Sequence, residues 1–478
     1  MALRDRLPGH IFSTRGWGLI GAGAVFLLAA QIMGRRDLLA LAVFLLVLPL
    51  LSLAGTRMLK PSFRVYREFS PSPVETSART TVRLAVARTG SGTGHAVMEE
   101  HLPARFGESP VFRFPARAAA GGTSRYEYHL RSAKRGQFLI GPVTAEFSDP
   151  FGLSFHRHAI DGGDLLTVTP AAVELPETGL AGARGYDGVT ATRIRANPSD
   201  DDVMTREYRH GDPMRRVHWA ATARHGSLMV RQEESVTTPE ATIILDQRLA
   251  AYPHGVFRPG TGEKDGHELV TCEGFEWVVT AAMSIGAHLA ERNYSLRFLD
   301  TAGAPAFRLS PSAPEPEAEE FSGAAGLQSV AESLAAIQLS GAHHNHLHRP
   351  RVPGTAPAAG TSGGAGAHAF DDALMDKLSA HRQRGPVLAL LGHLTPAEAR
   401  ALSPAAAFGP SAFALLVTDP VHGSDDMPEV LEALRLGGWR AVAVSARTPL
   451  PEAWAAFDQA GPVLSATSDL RRGAGGRR

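Results

Sequence analysis

The chain holds a single cysteine, Cys272, in 478 residues. One thiol excludes an intramolecular disulfide and any metal site built on a cysteine cluster. It suits a reducing compartment, although exported bacterial proteins are also often poor in cysteine. Bulk charge is missing too: 48 Lys+Arg stand against 48 Asp+Glu, so nothing draws the whole chain to nucleic acid. No Gly-rich phosphate loop of the P-loop type occurs, which argues against nucleotide hydrolysis by this chain. Lysine is scarce while Ala, Gly, Arg and Pro are abundant, a bias typical of GC-rich bacterial genomes.

What the chain does have begins with two uncharged apolar runs, about 17–33 and 38–54, inside an N-terminal segment 1–60. Each is close to the lower limit of roughly 17–25 residues needed to cross a hydrocarbon core of about 30 Å. Trp17 stands where an interfacial aromatic belongs, and only Gly34-Arg35-Arg36-Asp37 separates the runs, so a transmembrane hairpin is expected. A cleaved signal peptide competes for the first run, but the second follows at once without a mature region between them. A buried soluble hairpin is the other competitor, and the unbroken hydrophobicity argues against it. Arg4, Arg6, Arg15, Arg57, Lys60, Arg64 and Arg67 flank the hairpin, against Arg35 and Arg36 in its loop. The positive-inside rule then puts both termini, and the soluble domains, on the cytoplasmic face of the cell membrane.

Residues 61–170 read as a β-sandwich-like domain. Phe63–Arg67, Thr81–Val86, Val111–Phe114, Tyr126–Leu130 and Leu165–Val168 are strand candidates between Gly- and Pro-rich turns. Lys134 to Leu153 reads as a final hairpin closing in the turn Asp149–Leu153. A motif segment, 171–235, links this domain to a region at 236–465 where apolar strands alternate with helices. Strands are expected at Ala241–Asp246, Tyr294–Leu299, Pro386–Leu391, Ala412–Val417 and Ala441–Val444. Helices are expected near 268–291, 371–382, 396–402 and 427–436, giving an open, largely parallel sheet covered on both faces. Residues 340–368, rich in Ala, Gly, Pro, Ser, Thr and His, form an expected flexible insertion, and 466–478 a disordered basic tail. An acidic Pro-rich patch lies at 311–320.

The most distinctive stretch is Thr205–Arg224. It resembles the bacterial "domain of unknown function 58" family through Gly211, Asp212, Arg215, Val217, His218, Trp219, Thr222, Ala223 and Arg224. The two-span N-terminus, the β region and the later α/β region look like that family as well. The candidate interaction residues are Arg206, Tyr208, Gly211, Asp212, Arg215, His218, Trp219, Thr222 and Arg224. Gly211-Asp212-Pro213 is a turn signal, and Trp219 offers a large apolar anchor. Arg215 and Arg224 suit bidentate bonds to carboxylates such as Asp212 or Glu207. Two readings stay open: a structural knot between the soluble domains, which is favoured, and a binding surface for an acidic segment or a phosphate.

The resemblance also implies a von Willebrand A-like α/β domain. Such domains often carry a metal site opening with Asp-x-Ser-x-Ser after the first strand. Here the matching positions are Asp246, Arg248 and Ala250, so an arginine and an alanine replace both hydroxyls and no complete metal site is expected. His343, His344, His346 and His348 offer adventitious metal binding at most. No cofactor is expected, and neither Cys272 nor the His210/His218/Asp212 group defines a triad by spacing. The implied role is a non-enzymatic membrane-anchored adaptor. Its implied partners are a MoxR-type AAA+ ATPase and membrane proteins with transglutaminase-like domains, in envelope-linked assembly, maturation or stress response. The rivals are a hydrolase-like enzyme using Asp212 and His218, and a divalent-metal-dependent ligand-binding domain.

Overall fold

The apolar runs fold as two helices, α1 (Thr14–Met33) and α2 (Arg36–Met58), each extending a few residues beyond the expected spans. Both are long and apolar enough to cross a membrane. The computed structural model describes residues 12–58, 63–89, 96–114, 123–148, 151–177, 205–208, 214, 217–231, 239–257, 269–341, 369–380, 385–418 and 426–459. Ser13 caps α1 by accepting the Gly16 amide at 3.1 Å, and Gly34 ends it in the left-handed region at φ 65°. Gly16, Gly23 and Ala30, seven residues apart, are the buried positions of α1. A methyl group at Gly23 would lie 2.8 Å from Leu46 Cγ, so this small-residue seam lets the two helices approach closely.

The β domain contains β1 (Phe63–Ser70), β2 (Val74–Glu75), β3 (Arg79–Arg88), β4 (Ala96–Glu100), β5 (Val111–Phe114), β6 (Thr123–Arg131), β7 (Gly136–Ile140), β8 (Val143–Ser148), β9 (Phe155–Ala159) and β10 (Asp164–Thr169). They form sheets ordered β1-β3-β6, β5-β4-β8-β9 and β2-β10-β7. On β3, Thr80, Val82, Leu84 and Val86 are buried in strict alternation. Leu84 and Val86 pack with Met98, Phe114 and Val143, whereas Val82 packs with Phe138, Ile140 and Leu166. One sheet therefore faces both of the others.

The expected final hairpin is not present. β7 pairs with β10 while β8 pairs with β4 and β9, and two strands follow. The chain turns the corner at Gly141, φ 101°, where a methyl group would lie 2.7 Å from the Gly163 Cα, so the strands change sheets instead of pairing. Arg67, counted above with the flanking charges, also lies elsewhere. Its guanidinium is buried between the carboxylates of Glu100 (2.5 Å), Asp164 (2.5 Å) and Asp161 (2.9 Å). Tyr128 donates its hydroxyl to the same Glu100. Burial pushes the Glu100 carboxyl above its ordinary value, against the opposing pull of Tyr128 and Arg67.

The motif segment contributes β11 (Thr205–Glu207), α3 (Trp219–His225) and β12 (Met229–Arg231), with β11 and β12 antiparallel. The α/β region follows: β13 (Glu240–Leu245), α4 (Glu273–Glu291), β14 (Ser295–Leu299), β15 (Glu320–Phe321), α5 (Gly323–Ala335), α6 (Asp372–Ser379), β16 (Val387–Leu391), α7 (Pro396–Leu402), β17 (Ala412–Thr418), α8 (Met427–Leu436), β18 (Trp439–Ser445) and α9 (Leu450–Gln459). The sheet order is β15-β14-β13-β16-β17-β18, parallel except for β15. β13 and β16 are buried at every residue, as strands covered on both faces must be. The acidic patch at 311–320 is tied down: Ser312 donates its hydroxyl to the Glu332 carbonyl, and Glu319 accepts from Arg297 and Lys377. Of the expected insertion, Ser340 bonds to Gln247 through its backbone, and 342–368 lie outside the described residues, as does the tail.

A buried arginine joins the two soluble domains. Arg135, in the turn between β6 and β7, is 2% exposed. Its Nε and Nη2 each donate to the Glu276 carboxylate at 2.9 Å. Its Nη1 donates to the carbonyls of Leu334 (2.8 Å), Ala335 (3.1 Å) and Ile337 (2.8 Å), at the C-terminal end of α5. The next contact is Val173, whose amide donates to Ser284 Oγ on α4, and Leu175 lies in the α/β core.

Candidate functional site

β11, α3 and β12 are knitted together by short-range bonds. The Tyr208 amide donates to the Leu228 carbonyl and the His218 amide to the Met229 carbonyl, both at 2.8 Å. His218 caps α3, its Nδ1 accepting the Ala221 amide at 3.1 Å. Thr222 Oγ1 accepts the Met229 amide at 3.0 Å, and Gly226, φ 70°, closes the helix. Val217, Met229 and Val230 are buried beneath.

Trp219 is 66% exposed and is not a buried anchor. As the first residue of a short helix, it projects outward once His218 and Thr222 turn in to satisfy backbone amides. Met214 and Leu228 are exposed large apolar residues of the same segment, and Arg224 is exposed too. Of the other candidates, Arg206 contributes backbone to β11, Tyr208 is half-buried, and Gly211, Asp212 and Arg215 lie outside the described residues.

A second group lies where the sheet order reverses, at the C-terminal ends of β13 and β16, the place where open α/β sheets bind ligands. Asp246 is fully buried there, its amide bonded to the Leu390 carbonyl. The Arg248 guanidinium grips it, Nε to Oδ1 at 2.9 Å and Nη2 to Oδ2 at 2.8 Å. Its remaining Nη1 donates to Glu398, and its Cζ lies 5.2 Å from the Phe370 ring centroid. Glu398 also completes a capping box with Thr395 at the start of α7. Asp246 and Glu398, the partners of Arg248, stand 2 and 150 residues from it, so only the first is local in sequence.

Burial works to lower the Arg248 pKa, but the bonds to Asp246 and Glu398 outweigh it and raise the value. Burial likewise works to raise Glu398, and the Thr395 amide and Arg248 overcome it, leaving the carboxyl below its usual range. A folded-state value below the unfolded one adds stability that is complete above the ordinary glutamate range and fades as pH falls through the folded value. Glu398→Gln is therefore expected to flatten the acid limb of the stability profile below about pH 4.3, measured by urea unfolding across pH. An unchanged slope there would count against the pair.

Among the described residues no group of three or more His, Cys, Asp or Glu is placed to hold a metal ion, and His343, His344, His346 and His348 fall outside them. Cys272 is the buried cap of α4, its Sγ accepting the Phe275 amide at 3.4 Å, and burial pushes its thiol up, away from nucleophilic reactivity.

These features define a multi-domain protein with two apolar N-terminal helices, a domain of three small sheets and a mixed α/β domain. Residues 204–252 match the family described as "Protein of unknown function DUF58", which supports the resemblance read at Gly211–Arg224. The matched segment runs from β11 through Arg248, so it includes the first group and, of the second, Asp246 and Arg248. No curated protein matches. Among solved structures, the chain is similar to Pseudomonas fluorescens alkylpurine DNA glycosylase AlkC bound to abasic-site DNA, at 13% identity over 28% of this chain and 38% of that one, TM-score 0.15. It is also similar to β-glucosidase EmGH1 from Erythrobacter marinus, at 15% over 23% and 15%, TM-score 0.13. A third likeness is β-glucosidase 3B from Thermotoga neapolitana, at 10% over 23% and 17%, TM-score 0.13. The chain spans well under half of each, and such TM-scores carry no argument.

Proposed function

We propose that this protein is a non-enzymatic docking protein, tethered to the cell membrane by α1 and α2 with its soluble domains on the cytoplasmic face, that presents the β11–α3–β12 surface to a protein partner. The observation that carries this reading is Trp219, exposed at the start of a helix where His218 and Thr222 turn inward to bond backbone. A solvated tryptophan in a segment that also exposes Met214, Leu228 and Arg224 has the composition of an interaction hot spot. The sheet that reverses its order at β13, with an acid at the end of that strand, supports a von Willebrand A-like α/β domain in which Arg248 takes the place of a cation. The family resemblance implies a MoxR-type AAA+ ATPase as the partner, in envelope-linked assembly, maturation or stress response.

The test is direct binding of such an ATPase to the full chain in nanodiscs. Trp219→Ala is expected to leave stability within about 0.5 kcal/mol and to weaken binding by about 2 kcal/mol or more, roughly 30-fold. Equal affinity for both forms, or no binding by the unmodified chain, would sink the proposal. Turnover of a substrate that survives loss of binding would favour an enzyme instead.

A further inference from the structure

The segment between β8 and β9 touches the hairpin through Leu153 and Ser154. The Ser13 amide donates to the Leu153 carbonyl at 2.9 Å, and Phe12 bridges to Ser154. Ser154 and Ser52 of α2 are joined through their hydroxyls at 3.1 Å. A methyl group at Gly16 would collide with the Leu153 carbonyl oxygen, so the turn is seated against the first turn of α1. Leu153 is 5% exposed and Ser154 is fully buried, while Phe151, two residues earlier, is 64% exposed. Gly152, φ 67°, supplies the reversal that points them apart.

The level of this contact along the hairpin follows from helix geometry. From Ser13 to the far turn after Met33, at 1.5 Å per residue, is about 30 Å, the thickness of a hydrocarbon core. With the Gly34–Arg35 turn at one boundary, the other boundary falls at Ser13–Trp17. Trp17 is 60% exposed there and meets Phe12 edge-on at 5.7 Å. The 151–154 turn sits at the same level, and its exposed ring belongs to a soluble domain.

We propose that Phe151 is a third membrane contact, an aromatic wedge that enters the headgroup–acyl boundary of the bilayer beside α1 and α2 and fixes the tilt of the soluble domains. It rests on the hairpin crossing the membrane. An apolar ring gains by leaving water for the acyl boundary, and the seating of its turn against Ser13 and Gly16, at the Trp17 level, identifies lipid as the occupant.

Nitroxide labels on the full chain in phosphatidylcholine–phosphatidylglycerol vesicles test it. Cys272→Ser keeps an acceptor at the cap of α4 and removes the native thiol. Single cysteines then replace Phe151, Val25 on the exposed face of α1 (65%) and Leu436 on α8 (77%). Collision with oxygen relative to a water-soluble nickel chelate reports depth. The expected order is 25 deepest, 151 intermediate with a ratio several-fold above 436, and 436 aqueous. A deep position 25 with 151 equal to 436 overturns the wedge alone. A position 25 as aqueous as 436 overturns the transmembrane reading and the wedge with it.

Discussion

Arg135→Ala is expected to lower the unfolding free energy by about 3–5 kcal/mol and to separate one melting transition into two. The guanidinium makes two bonds to Glu276, two to the last carbonyls of α5 and one to the Ile337 carbonyl just beyond it, from a position 2% exposed. Removing it leaves a helix C-terminus without the cation that complements its dipole and a carboxylate without its fork. Phe275, whose ring centroid lies 5.8 Å from the Arg135 Cζ, also loses its neighbour. Arg135→Lys keeps the charge but not the planar fork, so it should recover only a minor part. Calorimetry of the full chain in detergent reads both the midpoint and the number of transitions. A loss below about 1 kcal/mol, as for an exposed ion pair, would show that the domains are held by Val173 and Leu175 instead.

Arg248→Ala should be comparably damaging, because it strands Asp246 as a buried charge whose two oxygens had the same guanidinium as partner. The expected loss is about 3–5 kcal/mol by urea unfolding. The variant also leaves Asp246 and Glu398 converging on the space the guanidinium filled, which suits a hard cation. Millimolar Mg²⁺ is therefore expected to raise the melting temperature of Arg248→Ala and to leave the unmodified chain unchanged. An equal shift in both would mean that the arginine does not stand in for a metal.

The elements that could be read from the sequence are those whose burial is uniform or strictly periodic. The strands at Glu240–Leu245, Val387–Leu391 and Ala412–Thr418 carry unbroken apolar runs because helices cover both faces, and the alternation of Arg79–Arg88 marks a strand with one face inside. The two-residue strand Glu320–Phe321 carries no such signal; two ladder partners on β14 define it, in a stretch that reads as acidic and Pro-rich. The corner at Gly141-Pro142 reads as a hairpin because local turn chemistry does not say which sheet receives the next strand. Arg135 was silent for a different reason: its partners lie 141 to 202 residues away. The exposure of Trp219 is equally unreadable from its type: the inward turn of His218 and Thr222 accompanies its place outside.

The Arg135 clasp has a mechanical consequence. The hairpin is pinned to the 153–154 turn, that turn leads into β9, and the β6–β7 turn of the same domain is gripped to α4 and α5. A few degrees of rocking by the hairpin would thus be carried through the β domain into α4 and α5 instead of being absorbed at a loose joint.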